Sequence, residues 1–108
     1  MSVDKVYSEM NRGFLQLLLL LVLNKPAYGY DILKLLEEKG YTVEEQSLYP
    51  LLRRMEERGF LSSEWKVVQN KPRKYYVISE EGKSIRYDLI NIWKNQNKII
   101  CKFEEGIK

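Results

Sequence analysis

The residues best equipped for chemistry are polar and cationic, and they fall in two clusters. The first is Gln46, Ser47, Tyr49, Arg53 and Arg54, interleaved with the apolar series Leu48, Leu51, Leu52 and Met55. That apolar series recurs at i, i+3, i+4 and i+7, the pattern of one buried helix face, so the polar set falls on the opposite face. Gln and Arg present paired donors and acceptors that match adenine and guanine edges, and Ser and Tyr hydroxyls can donate to phosphate. The second cluster lies between Lys66 and Lys74, where Lys66, Lys71, Arg73 and Lys74 occur with no acid among them. A basic finger of this kind tracks phosphate. The acids Glu44, Glu45, Glu56 and Glu57 count against a broad unspecific basic surface and suit charge presented only where a groove is.

Catalytic chemistry has little to work with. The chain contains no histidine, which removes imidazole bases, Ser-His-Asp triads and the usual transition-metal sites. No Gly-rich phosphate loop, zinc spacing or calcium loop occurs. An enzyme is therefore not expected, nor a cofactor or a metal. The single cysteine, Cys101, allows no intrachain disulfide and fits a reducing, cytoplasmic setting.

With 108 residues, 44% hydrophobic and 31% charged, the chain supports one folded core. Net charge is only +3, so placement of charge matters more than its sum. The apolar run FLQLLLLLVL at residues 14–23 is about half the roughly 20 residues that a membrane span requires. It reads as a helix buried on nearly all sides, and no membrane partner is expected.

The elements that must position the two clusters follow from periodicity. Residues 3–23 predict one helix, amphipathic through Val3, Tyr7, Met10 and Phe14 and then wholly apolar, ended by Asn24-Lys25-Pro26. A second helix is predicted over 28–39, with Gly40 as a left-handed cap. Gly29, between Tyr28 and Tyr30, would permit close helix approach; the two tyrosines read either as core or as phosphate donors. A third helix over 45–58 carries the first cluster, with Pro50 expected in its first turn, where a missing N–H costs nothing. Runs 60–68 and 73–79 predict a β-hairpin, the stretch 69–72 forming its turn. Trp65, on the same parity as Leu61, Ser63 and Val67, reads as core.

Ser79 is placed to cap a last helix that reaches Glu105. Ile85, Leu89, Ile92, Gln96, Ile99 and Phe103 alternate steps of four and three, a seam suited to another helix. At about 25 residues and roughly 37 Å, this rod exceeds what so small a body can cover, so part of it should meet a second copy of the chain. The fold class is thus mostly α with a small β-hairpin: a winged helix-turn-helix over residues 1–79 and a dimerisation helix over 80–108.

The segments "SLYPLLRRMEERGFL" and "RKYYVISEEG", with Trp65 and the long closing helix, resemble short PadR-family transcriptional regulators over about residues 12–98. The resemblance implies a homodimer that binds a pseudo-palindromic operator on double-stranded DNA, as a repressor. It implies that the third helix and wing contact DNA, through Ser47, Tyr49, Arg53, Lys71, Arg73 and Lys74. Gln46 and Arg54 join them from the face analysis. Many members carry Gly-Thr where this chain has Gln46-Ser47, so no operator sequence carries over.

The expected dimer interface is Tyr7, Met10, Phe14, Leu89, Ile92, Gln96, Ile99 and Phe103. Trp93 has two readings, interface packing or a platform for a small planar aromatic effector with Leu15, Leu18 and Ile92 beside it. The alternative function is a winged-helix protein-interaction module without DNA binding; Arg53, Arg54, Lys71, Arg73 and Lys74 argue against it.

Overall fold

The computed structural model describes residues 3–107. Its order is α1 (Val3–Met10), α2 (Phe14–Val22), β1 (Ala27–Tyr28), α3 (Gly29–Glu38), α4 (Glu45–Glu57), β2 (Leu61–Val68), β3 (Lys71–Ile78) and α5 (Glu80–Glu105). The mostly α, winged helix-turn-helix class expected from the sequence is the one adopted.

Burial of leucine drives the arrangement. Leu15, Leu19, Leu20 and Leu23 of α2 and its C-cap meet Ile32 and Leu36 of α3 and Leu48, Leu52 and Met55 of α4. Leu61, Tyr76 and Ile78 close the core from the sheet. Each fully buried side chain of this size contributes about 1.5–3 kcal/mol relative to exposure. The amide of Ile78 donates to the Leu23 carbonyl at 2.8 Å, tying the sheet to the end of α2.

Several sequence expectations need correction. The first helix is two helices, broken at residues 11–13. Asn and Gly are weak helix formers there, and the Asn11 side chain donates to the Tyr7 carbonyl, competing for an acceptor of the backbone ladder. The hairpin is part of a three-stranded antiparallel sheet of order β1-β3-β2, because Ala27 and Tyr28 pair with Tyr76 and Tyr75. Tyr28 is consequently the residue before α3 rather than its first turn.

Pro50 is the sixth residue of α4, in its second turn. It withholds the bond that the Gln46 carbonyl would have received; Gln46 is exposed, so water can serve that carbonyl. Lastly, Trp65 is 65% exposed. It shares the inward parity with Leu61, but it stands on the outer part of the hairpin, where Val67 and Pro72 of the same face are exposed too.

The hairpin turn is tighter than expected. Val68 pairs with Lys71, leaving only Gln69 and Asn70 in the turn, with φ of 52° and 64°. Both residues in the left-handed region is the type I′ geometry that matches strand twist.

α5 begins as expected at Ser79, whose hydroxyl accepts from the Gly82 amide at 3.0 Å and donates to the Gly59 carbonyl at 2.6 Å. Gly82 is needed because a Cβ there would run into the Phe60 carbonyl. Arg86 donates to the Leu20 carbonyl at 3.4 Å and to the Asn24 side chain, placing a cation at the C-terminus of α2. Beyond Ile90 every described residue of α5 is exposed. The radius of gyration, 16.2 Å, exceeds the roughly 13 Å of a compact domain of this length because this rod projects. Among the described residues no helix is long and apolar enough to cross a membrane.

Candidate nucleic-acid interface

α4 buries Leu48, Leu52 and Met55 and turns Gln46, Ser47, Tyr49, Arg53 and Arg54 outward. All five of these sequence-derived residues share one exposed helix face. Tyr49 is anchored there: its ring lies against Gly29, where a Cβ would come within 2.6 Å of the phenol carbon Cζ. Close approach at Gly29 was expected, and Tyr49 is what approaches. Burial, then Glu45, Tyr76 and Tyr28, raises the Tyr49 pKa, so its hydroxyl stays a donor at neutral pH.

The wing cations are not equivalent. Lys71 is exposed beside the turn. The Arg73 guanidinium lies 4.5 Å from the centre of the Tyr28 ring, which aims it while leaving it charged. Lys74 is ion-paired with Glu56 of α4 at 2.9 Å, with its ammonium 5.1 Å from the Tyr76 ring. Its expected role on phosphate therefore competes with a strong partner inside the protein.

The structure adds a group that the sequence reading left undecided or missed. Strand alternation places Lys66, Arg73, Tyr75 and Tyr28 on the outer face of the sheet. Tyr28 packs against Tyr75 at 5.4 Å and against Tyr30 at 6.4 Å. Lys66 sits 5.1 Å over Tyr75, and Lys34 5.5 Å over Tyr30. The result is a strip of aromatic rings and cations, with the acid Glu64 opposite Tyr75 on the same face, from the start of α3 to the wing, meeting α4 at Tyr49. Neither Tyr28 nor Tyr30 joins the core cluster. Lys34 and Tyr75 were detectable only through tertiary pairing, because nothing local marks them.

Elsewhere, α1, α2 and α5 border an open groove of about 560 Å³. Tyr7, Met10, Phe14, Leu89, Ile92, Trp93 and Gln96 line it. Ile99 and Phe103 continue the apolar stripe along α5 beyond it, Phe103 being 76% exposed. Leu15 and Leu18 do not line the groove. Leu15 is in the core and Leu18 packs against it, while Leu17 faces the groove instead. Continuing the helical step from Met10 and Phe14 leads to Leu17, so the sequence held that signal. Phe14 is half-buried, its ring set edge-on to Tyr41 at 5.7 Å.

Residues 17–87 match the model of the Transcriptional regulator PadR-like family. The fold is similar to a PadR-family transcriptional regulator from Eggerthella lenta, with a TM-score of 0.87 and 39% identity over 94% of this chain and 90% of that one. A transcriptional regulator from Clostridium thermocellum aligns at a TM-score of 0.80 and 30% identity, over 89% of this chain and 98% of its own. An uncharacterised protein of Lysinibacillus sphaericus is 31% identical over 95% of this chain and 99% of its length. An outward helix face carrying Gln and Arg, a basic wing beside it and a match across most of the chain agree: this protein belongs to the PadR-like family of transcriptional regulators, and is a DNA-binding regulator and not an enzyme.

Proposed function

We propose that the chain is a homodimeric, sequence-specific repressor acting in the cytoplasm. In this reading α4 enters the major groove, with Gln46, Arg53 and Arg54 on base edges and Ser47 and Tyr49 on phosphate. Lys71 and Arg73 then meet the backbone at the neighbouring minor groove, with Tyr28, Tyr30 and Lys66 extending the phosphate contact. The observation that carries the reading is the shared surface: Tyr49 seated on Gly29 joins the α4 face to the aromatic–cation strip.

Residues 80–108 would dimerise the chain. The exposed stripe Ile92, Ile99 and Phe103, with Tyr7 and Met10 of α1, is apolar surface that a second copy would cover. Two copies related by a dyad would present two α4 helices to half-sites one helical turn apart, about 34–36 Å, or multiples of that spacing.

Electrophoretic shift of the duplex upstream of the chain's own gene, repeated across salt, tests the reading. A specific complex whose affinity falls steeply with salt supports it. A complex of one chain per duplex, or none, refutes it.

The groove favours one addition. Trp93 is 46% exposed and lines it among apolar side chains, offering a stacking face to a planar aromatic effector at the dimer interface. Quenching of Trp93 emission by planar aromatic cations, in a Trp65→Phe background, tests this. Binding unchanged by Trp93→Ala would refute it.

A further inference from the structure

Glu56 stands where an acid is doubly unfavourable. It lies in the last turn of α4, near the negative end of the helix dipole. It also belongs to the helix that presents cations to phosphate. Yet its carboxylate is held by both strands of the wing: the Ser63 hydroxyl of β2 donates to one oxygen, and Lys74 of β3 pairs with the other at 2.9 Å. Ser63 and then Lys74 hold the Glu56 carboxyl below its ordinary pKa, against the opposing effect of burial.

The tie sits where the hairpin leaves the body. Leu61, Tyr76 and Ile78 are buried at its base, whereas Trp65, Val67, Lys71 and Pro72 are exposed further out. From Ser63 to Val68 the strand runs about 17 Å. A 10° swing at the tie would carry the turn about 3 Å sideways, roughly half the width of a minor groove.

We propose that Glu56 is a positioning residue for DNA recognition. It fixes the angle between α4 and the wing so that both meet one stretch of duplex, and Lys74 serves this tie rather than a phosphate. The proposal rests on the DNA-binding surface argued above, and it inverts the usual electrostatic expectation. Removing an acid near DNA ordinarily raises affinity for every duplex. Here it costs specificity.

The test uses the full chain, the duplex that the wild type selects most strongly from a randomised pool, and a scrambled duplex of equal length. Glu56→Gln should bind the selected duplex about tenfold more weakly, on the order of one mismatched base pair, while holding or raising its affinity for the scrambled one. Lys74→Met should lose selected-duplex affinity similarly, with the salt slope unchanged. The exchange Glu56→Lys with Lys74→Glu should recover most of what either single reversal loses. Ser63→Ala, which spares the ion pair, gives a smaller loss of the same kind and serves if Glu56→Gln does not fold. Amide exchange across residues 66–72 should quicken in Glu56→Gln.

The proposal is overturned if Glu56→Gln raises both affinities together. A salt slope lower by about one phosphate per protomer in Lys74→Met, or an exchanged pair no better than the single reversals, also overturns it. If the wild type selects no duplex at all, the DNA-binding reading falls and the tie with it; a selective wild type with an unaltered Glu56→Gln ratio removes the tie alone.

Discussion

Gly29→Ala separates a close helix approach from mere loop permissiveness. Gly29 opens α3 and is not among the positive-φ residues, so alanine suits its backbone. In open space the change would stabilise by about 0.4–1 kcal/mol, through a less disordered unfolded chain. Here the new methyl would lie 2.6 Å from Tyr49 Cζ, whereas ordinary contact begins near 3.4 Å. The ring must therefore retreat by about 1 Å. Tilting it off its rotamer costs about 0.5–1.5 kcal/mol, and parting the helices about 1–3 kcal/mol. With Tyr49 at 40% exposure the tilt is the cheaper route; its cost offsets the entropic gain, so the expected stabilisation is absent and the net change lies between about zero and a loss of about 1 kcal/mol.

In a Tyr49→Ala background the obstacle is gone and Gly29→Ala should stabilise. The coupling between the two sites should then equal the cost of the tilt, about 0.5–1.5 kcal/mol. Urea denaturation of the four chains at one fixed protein concentration measures it. The tilt also displaces the phenol by more than a hydrogen bond tolerates, so DNA affinity should fall further than stability does. A Gly29→Ala chain more stable than the wild type by the full entropic gain of about 0.4–1 kcal/mol, or a coupling indistinguishable from zero, would refute the reasoning.

Four more outcomes follow from the geometry. Gly13→Ala should raise stability by about 0.4–1 kcal/mol and add helix by circular dichroism, since Gly13 is already helical in φ and ψ with open space around it. Ser79→Ala removes the α5 cap and the bond to Gly59, and should lower stability by about 1–2 kcal/mol in denaturant titrations. Glu56 has a lowered folded pKa, so its contribution is present above the unfolded value near 4.3 and is lost as pH falls through the folded value; Glu56→Gln should flatten the acid limb of a stability–pH curve. Tyr41 and Tyr49 are raised, chiefly by burial, so their contribution is present below about pH 10 and lost above it.

Local pattern disclosed most of the fold. The α4 stripe, the Ser79 cap and the glycine after α3 each follow from short-range stereochemistry, and each stands where the pattern put it. Gly40, with φ of 92°, is the clearest instance. Errors arose where a distant element decided the outcome. Ala27 and Tyr28 form a strand only because β3 passes beside them, and two residues carry no periodicity of their own. Trp65 has a core residue's type and parity, but the length by which the hairpin overshoots the body is a tertiary quantity. Gln46, Ser47, Tyr49, Arg53 and Arg54 were legible as a face. That Lys74 is already engaged was not, because Glu56 lies 18 positions away in the chain.

The sheet order has a consequence for solubility. β1 accompanies β3 for only two residues, so from Lys71 to Lys74 one side of β3 lacks a neighbouring strand, and the outer side of β2 lacks one along its length. Open ladders of that kind template pairing with other chains, and cations and proline are what discourage it. Lys66, Lys71, Pro72 and Arg73 occupy the exposed stretch, so the groups offered to phosphate also keep neighbouring molecules from zipping together. A wing stripped of charge should therefore fail twice, losing its nucleic acid and precipitating through strand-to-strand assembly.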